Sequence, residues 1–261
     1  MSQTTRTLMT LLLTASLLFV AACGDSGTNN NNTTNNGTTA PGATDTQPAE
    51  DKGEGTTDSG AAASDELTTI EIELPIAQTV GTKPEQIASD ADFDAPPPPP
   101  LQAPAGAVNL ALDKPVTSSD PMPFMGDLSY ITDGDAEAFD NNVVELAPGK
   151  QWVQIDLEAP CRLYGIATWR DHHHIVVYRD VVVQIADDAD FTQNVRTVFN
   201  NDQDNSSGLG AGTDKEFFEK NHGHLVQLKG EVARYVRIYS NGNTSNDQNY
   251  YIEVAVYGVP Q

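Results

Sequence analysis

The sequence predicts an all-β protein, an antiparallel β-sandwich of the jelly-roll type, preceded by a disordered N-terminal region. In residues 234–258, apolar and polar side chains alternate with a period of two, which is typical of half-buried strands. Similar short segments recur through residues 108–233, between loops rich in turn-forming residues. Apart from residues 191–195, no segment there has the apolar spacing of an amphipathic helix.

Residues 1–23 have the composition of a targeting segment. Arg6 supplies a positive charge, and the apolar segment Leu8–Ala22 that follows is too short to span a membrane comfortably. It ends in Val-Ala-Ala-Cys, which resembles the lipobox of bacterial lipoproteins. The resemblance implies that Cys23 is lipidated and becomes the first residue of the mature chain. The alternative is an ordinary secretory signal that is cleaved near Ala22.

The residue after the cysteine bears on location. In Gram-negative lipoproteins an aspartate at this position favours retention in the inner membrane, whereas this chain has Gly24. The resemblance therefore implies a lipid-anchored protein of the bacterial cell envelope, held at the outer membrane.

Residues 24–66 form an acidic low-complexity tether that we expect to be disordered. The segment lacks the apolar residues that would offset the entropy lost by an ordered chain. Residues 67–107 differ, because the alternating Ile-Glu-Ile-Glu-Leu of residues 70–74 predicts a short strand and Pro96–Pro100 predict a stiff polyproline segment. We interpret residues 67–107 as a strap laid along the edge of the domain, followed by a proline-rich spacer.

The globular domain covers residues 108–261, a usual size for one domain with a sizeable core. Its predicted strands are Gln151–Leu157, Leu163–Trp169, Arg179–Ala186, Arg196–Asn200, Tyr235–Tyr239 and Tyr251–Tyr257. The domain has 23 acidic and 11 basic residues, in a chain with a net charge of −23. This balance argues against nucleic acid as a partner, because a phosphate backbone requires clustered Lys and Arg side chains.

Five motifs occur in order along the domain: NLALDKPVTSS at 109–119, ITDGD at 131–135, WVQIDL at 152–157, ARYVRIYS at 233–240 and IEVAVYG at 252–258. Together they resemble the discoidin family, or coagulation factor 5/8 C-terminal domain, whose bacterial relatives include family 32 carbohydrate-binding modules. The resemblance covers Val108–Pro260 and implies a galactose-binding-like β-sandwich that binds a glycan through its loop tips. It does not name the glycan, because one sandwich hosts many specificities.

The metal candidates lie in and after a tight turn at Gly134: they are Asp133, Asp135 and Asp140. Ca²⁺ takes several oxygen ligands, which carboxylates and the carbonyl groups of a turn provide. The resemblance implies that Glu253, in the last strand, completes the site. We therefore expect a structural calcium ion; the alternative is a turn whose acidic side chains are only solvated.

The candidate ligand-binding residues lie in three loops. The first loop carries the polar run Arg170, Asp171, His172, His173 and His174. Because buried ring nitrogens require partners, we expect this run to be exposed at the end of the sandwich, where imidazole groups can bind sugar hydroxyls. The other two are the loops around Asn205 and Asn243. The alternatives for the histidines are a transition-metal site or a polar loop with one capping histidine.

Two other loops have unusual composition. Asp202, Asp204 and Ser206 alternate as in half of an EF-hand loop, but the glutamate that completes such a loop is missing. This leaves open a second cation, a flexible binding loop or a plain solvated loop. The apolar residues of the proline-bracketed loop 121–125 are expected to plug one end of the sandwich.

The sequence has no hydrolase or metalloprotease motif and no convincing pair of catalytic carboxylates. Cys161 is expected to be a free, partly buried thiol without a neighbouring base. We therefore expect a non-catalytic, envelope-anchored protein that binds a glycan. The alternative is a structural or adhesive protein-interaction domain that has no small-molecule ligand.

Replacing the cysteine of the lipobox tests the anchor. The Cys23→Ser variant should leave the membrane fraction, because lipid chains on this residue are what we expect to hold the protein there. Fractionation of cells that express each form, with mass spectrometry of Cys23, measures the effect. A variant that still sediments with membranes, or an unmodified cysteine in the wild type, would contradict the lipoprotein interpretation.

Overall fold

The computed structural model describes residues 66–80, 87–139 and 142–261. The predicted signal segment with Cys23, most of the tether and the metal candidate Asp140 lie outside these ranges. Within them, no helix is both long and apolar enough to cross a membrane.

The structure confirms the predicted all-β, antiparallel fold. Regular structure in the described residues consists of a 3-10 helix, Leu128–Thr132, and the strands β1 Leu67–Ile70, β2 Leu101–Pro104, β3 Val108–Asn109, β4 Val116–Ser118, β5 Val144–Leu146, β6 Lys150–Trp169, β7 Val182–Ala186, β8 Arg196–Asn200, β9 His224–Asn241, β10 Asn249–Tyr251 and β11 Glu253–Pro260. Residues 191–195, which have a weak helical pattern, are not helical.

One antiparallel sheet has the strand order β3-β11-β6-β9-β7-β8, with β4 also paired to β6. Its centre is the long pairing of β6 with β9. The two strands predicted in residues 151–169 are one continuous strand, β6, whose pairing register shifts between Asp156 and Cys161. Strand β9 begins at His224, earlier than predicted. Bulges of this kind interrupt the alternation of side chains, so periodicity alone divides a long strand into pieces.

A second, two-stranded antiparallel sheet, β5 with β10, packs against the first. Val144, Leu146 and Tyr251 of this pair are fully buried, in the same cluster as Val153 and Ile155 of β6. The main hydrophobic core therefore lies between two antiparallel layers, as expected for a sandwich.

The last alternating run of the chain divides into two strands at Ile252. Tyr251 and Val254 belong to the main core, whereas Ile252 lies in a separate buried cluster with Trp169 and Ala255. Uninterrupted alternation through residues 251–257 would place Ile252 on the same face as Val254, and this expectation is wrong. Because Ile252 belongs to neither strand, the period of two starts again after it.

The sheet face opposite the main core is covered by β1 and β2, which pair with each other. Leu101 of β2 lies directly over Gly165 of β6, where an added Cβ atom would come within 2.5 Å of the leucine side chain. Glycine at this position therefore permits the close approach of β2. The strand predicted at residues 70–74 occupies residues 67–70 instead.

The proline-bracketed loop does not plug the sandwich. Met122 and Phe124 are each 83% exposed. The backbone N–H of Phe124 donates to the carbonyl of Glu145 at 2.7 Å, and the N–H of Glu145 donates to the carbonyl of Met125 at 2.9 Å. These bonds hold the loop along the edge of β5, with the two apolar side chains in solvent.

A charged pair is buried at the end of β6. Arg170 has no exposed surface, and its Nη1 lies 3.2 Å from Oε2 of Glu219, which is also buried. Oε1 of Glu219 accepts a hydrogen bond from the backbone N–H of Arg170 at 2.7 Å. The guanidinium carbon lies 5.1 Å from the ring centroid of Tyr178 and 5.2 Å from that of Tyr251. Each charge requires the other, because a lone buried charge is unfavourable by several kcal/mol.

His224, at the start of β9, is stacked against phenylalanine rings. Its ring lies parallel to that of Phe217 at a centroid distance of 3.7 Å and meets Phe199 edge-on at 4.4 Å. Burial, together with the charges of Arg170 and His222, lowers the pKa of His224 to about 3. The unfolded chain therefore takes up a proton below about pH 6.5 that the folded chain does not take up until about pH 3.

Removing the charge of Glu219 should destabilise the domain strongly. Glu219→Gln leaves the Arg170 charge buried without a counter-ion, which lowers the free energy of unfolding by about 3–5 kcal/mol. The control is Glu158→Gln, which removes a carboxylate from the exposed ion pair with Lys114 and should cost less than about 1 kcal/mol. Urea denaturation measures both, and equal effects would contradict the role given to the buried pair.

Acidification should destabilise the wild type relative to the His224→Phe variant. Between about pH 6.5 and pH 3 the unfolded wild type binds one more proton at this residue than the folded form, so its stability falls by up to about 1.4 kcal/mol per pH unit. Phenylalanine keeps the stacking and cannot be protonated, and the other titrating groups are common to both proteins. Denaturation at several pH values measures the difference. If it stays constant across this range, His224 is not buried in its neutral form.

Candidate functional site

Two residues of the predicted ligand-binding run, Arg170 and His172, lie inside the protein. Arg170 and His172 have no exposed surface, so we correct the expectation that they contact a ligand at a loop tip. The guanidinium of Arg170 is paired with the buried carboxylate of Glu219. The Nε2 atom of His172 lies 3.0 Å from the carbonyl oxygen of Ala136, and its Nδ1 has no partner among the described residues.

The end of the run lies closer to solvent. The side chain of His174 is 61% exposed, and its Nδ1 lies 2.7 Å from the carboxylate of Asp171. His173 is half-buried: its ring meets Phe139 edge-on, and its backbone carbonyl accepts a hydrogen bond from Val80 of the strap. The three histidine rings have different surroundings, so the run does not form one binding surface.

Glu253 lies next to the acidic turn at Gly134. It is 2% exposed; its Oε2 accepts a hydrogen bond from the backbone N–H of Gly134 at 3.1 Å, and its Oε1 has no partner. Burial, with the neighbouring carboxylates of Asp133 and Asp135, raises the pKa of Glu253 to about 8. Burial also raises the pKa of Asp133. The ionised form of Glu253 is thus disfavoured here, and one of its buried oxygens has no donor.

The two predicted asparagines shape their own loops. Asn243 is 4% exposed, and its Oδ1 accepts hydrogen bonds from the backbone N–H groups of Ser245 and Asn246. Its predicted contact with a ligand is therefore corrected, because its polar atoms are used within the turn. Asn205 is exposed, has a φ of +60°, and accepts a hydrogen bond from the N–H of Gly210 at 2.7 Å.

The loops that contain these asparagines line one concave surface, which we call the acidic groove. The groove has a volume of about 660 Å³. Its wall includes Asp90 of the strap, Arg179 and Asp180 before β7, Asn201 and Asp204 after β8, and Asn241 at the end of β9. Carboxylates and amides dominate this lining, and among the described residues Arg179 is its one basic side chain.

Three carboxylates cluster at the groove. Asp180, Asp202 and Asp204 each place one oxygen within 4.8 Å of the others, close enough to hold a metal ion. Asp180 also accepts hydrogen bonds from the hydroxyl of Ser206 at 2.6 Å and from the amide of Asn241 at 2.8 Å. Burial acts to raise the pKa of Asp202, but hydrogen bonds from the hydroxyl and backbone N–H of Ser207, and from the backbone N–H of Ser206, outweigh it and lower this pKa. The carboxylates of the groove are therefore well supported acceptors.

Asn201 adds an unused donor to this wall. The residue is 3% exposed, and its Oδ1 accepts a hydrogen bond from the backbone N–H of Val181 at 2.6 Å. Its Nδ2 has no partner among the described residues. A buried donor left unpaired is unfavourable, so this amide favours an acceptor in the groove. Carboxylate acceptors beside a free amide donor suit a ligand with adjacent hydroxyl groups.

Sequence reasoning missed Asp180, Asn201 and Asn241. The alternation of Asp202 and Asp204 drew attention to this loop, but it left a cation, a binding loop and a solvated loop open. Asp180 and Asn241 are distant in sequence, and the pairing of β7 with β9 brings their loops together. No local pattern marks such residues.

No protein-family model matches the sequence, and no curated protein matches it. Among solved structures, the chain is similar to chitosan-binding module 1 from a chitosanase/glucanase of Paenibacillus sp. IK-5, with 19% identity, a TM-score of 0.42 and coverage of 58% of this chain and 99% of that one. It is also similar to a CBM32 module of Clostridium perfringens in complex with GlcNAc-α-1,4-galactose, with 20% identity, a TM-score of 0.41 and coverage of 60% and 97%.

A further similar structure is truncated AlyQ, which has CBM32 and alginate lyase domains. The identity is 18% and the TM-score is 0.40, over 56% of this chain. The chain spans 32% of that protein.

Proposed function

We propose that this chain is a non-catalytic binding protein that takes a glycan in the acidic groove. The observation that carries the proposal is the unpartnered amide of Asn201 beside the carboxylates of Asp180 and Asp204. One sugar hydroxyl can donate to a carboxylate while its neighbour accepts from an amide. The volume of the groove is in the usual range for small-ligand sites. Its negative lining favours a neutral or basic sugar over an acidic one.

The described lining of the groove has groups that bind hydroxyls and lacks those of a serine or cysteine hydrolase. Among the described residues it contains carboxylates, amides, serine hydroxyls and one guanidinium, and no histidine or cysteine. Serine is a weak nucleophile unless a base activates it, and histidine is the usual base for this purpose. The described groove thus has groups that can hold hydroxyls, and no serine–histidine or cysteine–histidine pair.

A structural Ca²⁺ at the turn of Asp133 and Asp135 is also part of the proposal. The residues fit such an ion, because Glu253 is buried beside them with one carboxylate oxygen that has no donor. A cation there would favour the ionised form of Glu253 and join the turn to β11. Asp140, outside the described residues, is the remaining candidate ligand.

The location of the protein is proposed from its first 24 residues. The lipobox-like sequence supports lipidation at Cys23, and Gly24 supports the outer membrane over the inner one. A binding protein anchored in this way would meet cell-surface polysaccharides, which are the partners we propose.

One observation favours the alternative, a protein-interaction domain. Met122 and Phe124 are both exposed on a loop that backbone hydrogen bonds hold in place. Exposed apolar side chains of this kind are typical of protein contacts. Under this alternative, binding of a protein partner would depend on these two residues and not on the groove.

Calorimetric titration with neutral oligosaccharides, selected on a glycan array, tests the groove. Asp204→Asn and Arg179→Gln should each weaken binding by about tenfold, because each removes a charge-assisted hydrogen bond. His174→Ala is the matched control, since it removes an exposed polar side chain outside the groove. Affinity that survives both groove substitutions, or that falls in the control, would overturn the proposal.

Calcium should stabilise the fold through Glu253. At a Ca²⁺ concentration of one hundred times the dissociation constant, the free energy of unfolding should rise by about 2.7 kcal/mol. Calorimetric melting before and after chelation measures this rise. Glu253→Gln should abolish it, whereas Asp204→Asn, in the other acidic cluster, should retain it. If Asp204→Asn abolishes it and Glu253→Gln does not, the ion binds at the groove instead.

A further inference from the structure

Prolines of the segment Pro96–Pro100 line several cavities together with Leu225, which lies near the start of β9. Pro98 and Leu225 line three of these cavities, with volumes of about 610, 160 and 380 Å³. The largest, which we call the proline cavity, has an apolar wall made by leucines 67, 225 and 228 and by prolines 98–100. The wall of the proline cavity is largely apolar, whereas the lining of the acidic groove is polar and negatively charged.

Two basic side chains, Arg162 and Lys229, stand at the proline cavity. Both residues are exposed. In the part of the chain that the structure describes, neither makes an ion pair or a side-chain hydrogen bond, whereas Arg196 and Arg234 are each paired with a carboxylate. In a chain with a net charge of −23, two free bases beside one apolar cavity create a local site for an anion.

Tyr164 supplies an independent observation at the same cavity. The residue is 6% exposed and lines the proline cavity, and its hydroxyl has no hydrogen-bond partner among the described residues. The hydroxyl oxygen is not among the buried polar atoms of the described residues, so it is accessible from the cavity. An accessible hydroxyl in the wall can donate to an acceptor on a ligand.

A bulge in β9 produces this arrangement. Residues 228–230 lie opposite Tyr164 alone, where the register with β6 shifts. Gly230 has a φ of +94°, and an added Cβ atom there would lie 3.2 Å from the hydroxyl of Tyr164. The bulge thus places Lys229 at the same cavity as Arg162, and the backbone fixes this placement.

We propose that the proline cavity binds an amphipathic organic anion, an apolar body that carries one carboxylate. The carboxylate pairs with Arg162 and Lys229 and accepts a hydrogen bond from Tyr164. The apolar body lies against the leucines and prolines. Glu231, which accepts a hydrogen bond from the backbone N–H of Lys229 at 2.7 Å, is a nearby acidic group and weakens the attraction. This site goes beyond the proposed glycan groove and does not depend on it.

Decanoate is the probe, and decanol is its neutral match. Titrated into the purified full chain at about 0.15 M salt, which screens the distant acidic residues, decanoate should bind at one site. Decanol should bind at least about tenfold more weakly, because it lacks the charge-assisted bonds. The double variant Arg162→Gln, Lys229→Gln should reduce the affinity for decanoate to that for decanol. Tyr164→Phe should weaken decanoate binding severalfold.

Two controls make the result specific. Decanol affinity should be unchanged in the double variant, which shows that the apolar cavity is intact. Arg179→Gln removes a base from the acidic groove and should leave decanoate binding unchanged. Equal affinity for the two probes, or decanoate binding that survives the double substitution, overturns the proposal. Binding of a uronate oligosaccharide but not of decanoate at Arg162 and Lys229 also overturns it, because the ligand would then be a sugar.

Discussion

The charge of Arg170 has to be neutralised inside the protein, and much of the surrounding architecture depends on this. Its guanidinium is buried with the rings of Tyr178 and Tyr251, and Glu219 is its counter-ion. These partners come from the loop before β7, from β10 and from the segment before β9. Because a buried charge without its partner is unfavourable by several kcal/mol, the three segments are held together at the end of β6.

The same constraint helps to build the acidic groove. Arg179 and Asp180 follow Tyr178 directly, and Glu216, which also lines the groove, lies shortly before Glu219. Two walls of the groove are therefore continuous with the partners of Arg170. The hydrogen bond from Asn241 to Asp180 then joins the end of β9 to these walls.

Alternation of side chains was sufficient to predict the fold, and it failed where the alternation is interrupted. Arg196–Asn200 was predicted as a strand and is β8 with the same bounds, whereas β6 continues through a bulge that divides its pattern. The interior position of Arg170 and His172 could not be predicted, because a polar run is expected to be exposed unless a buried partner is known. That partner, Glu219, is 49 residues away. The Asp202–Asp204 alternation indicated one loop of the groove. The other walls depend on the pairing of distant strands, which no local pattern indicates.

The two proposed sites take opposite ligands, since one is polar and acidic and the other is apolar with two free bases. Binding of a glycan in the acidic groove is tested most directly by nuclear magnetic resonance of the isotope-labelled chain, titrated with a neutral oligosaccharide. We expect the side-chain amide signals of Asn201 and Asn241 to shift with saturation, and the ring signals of His173 and His174 to remain in place. Shifts confined to these histidines, with the Asn201 amide unaffected, would contradict the assignment of the site to the acidic groove.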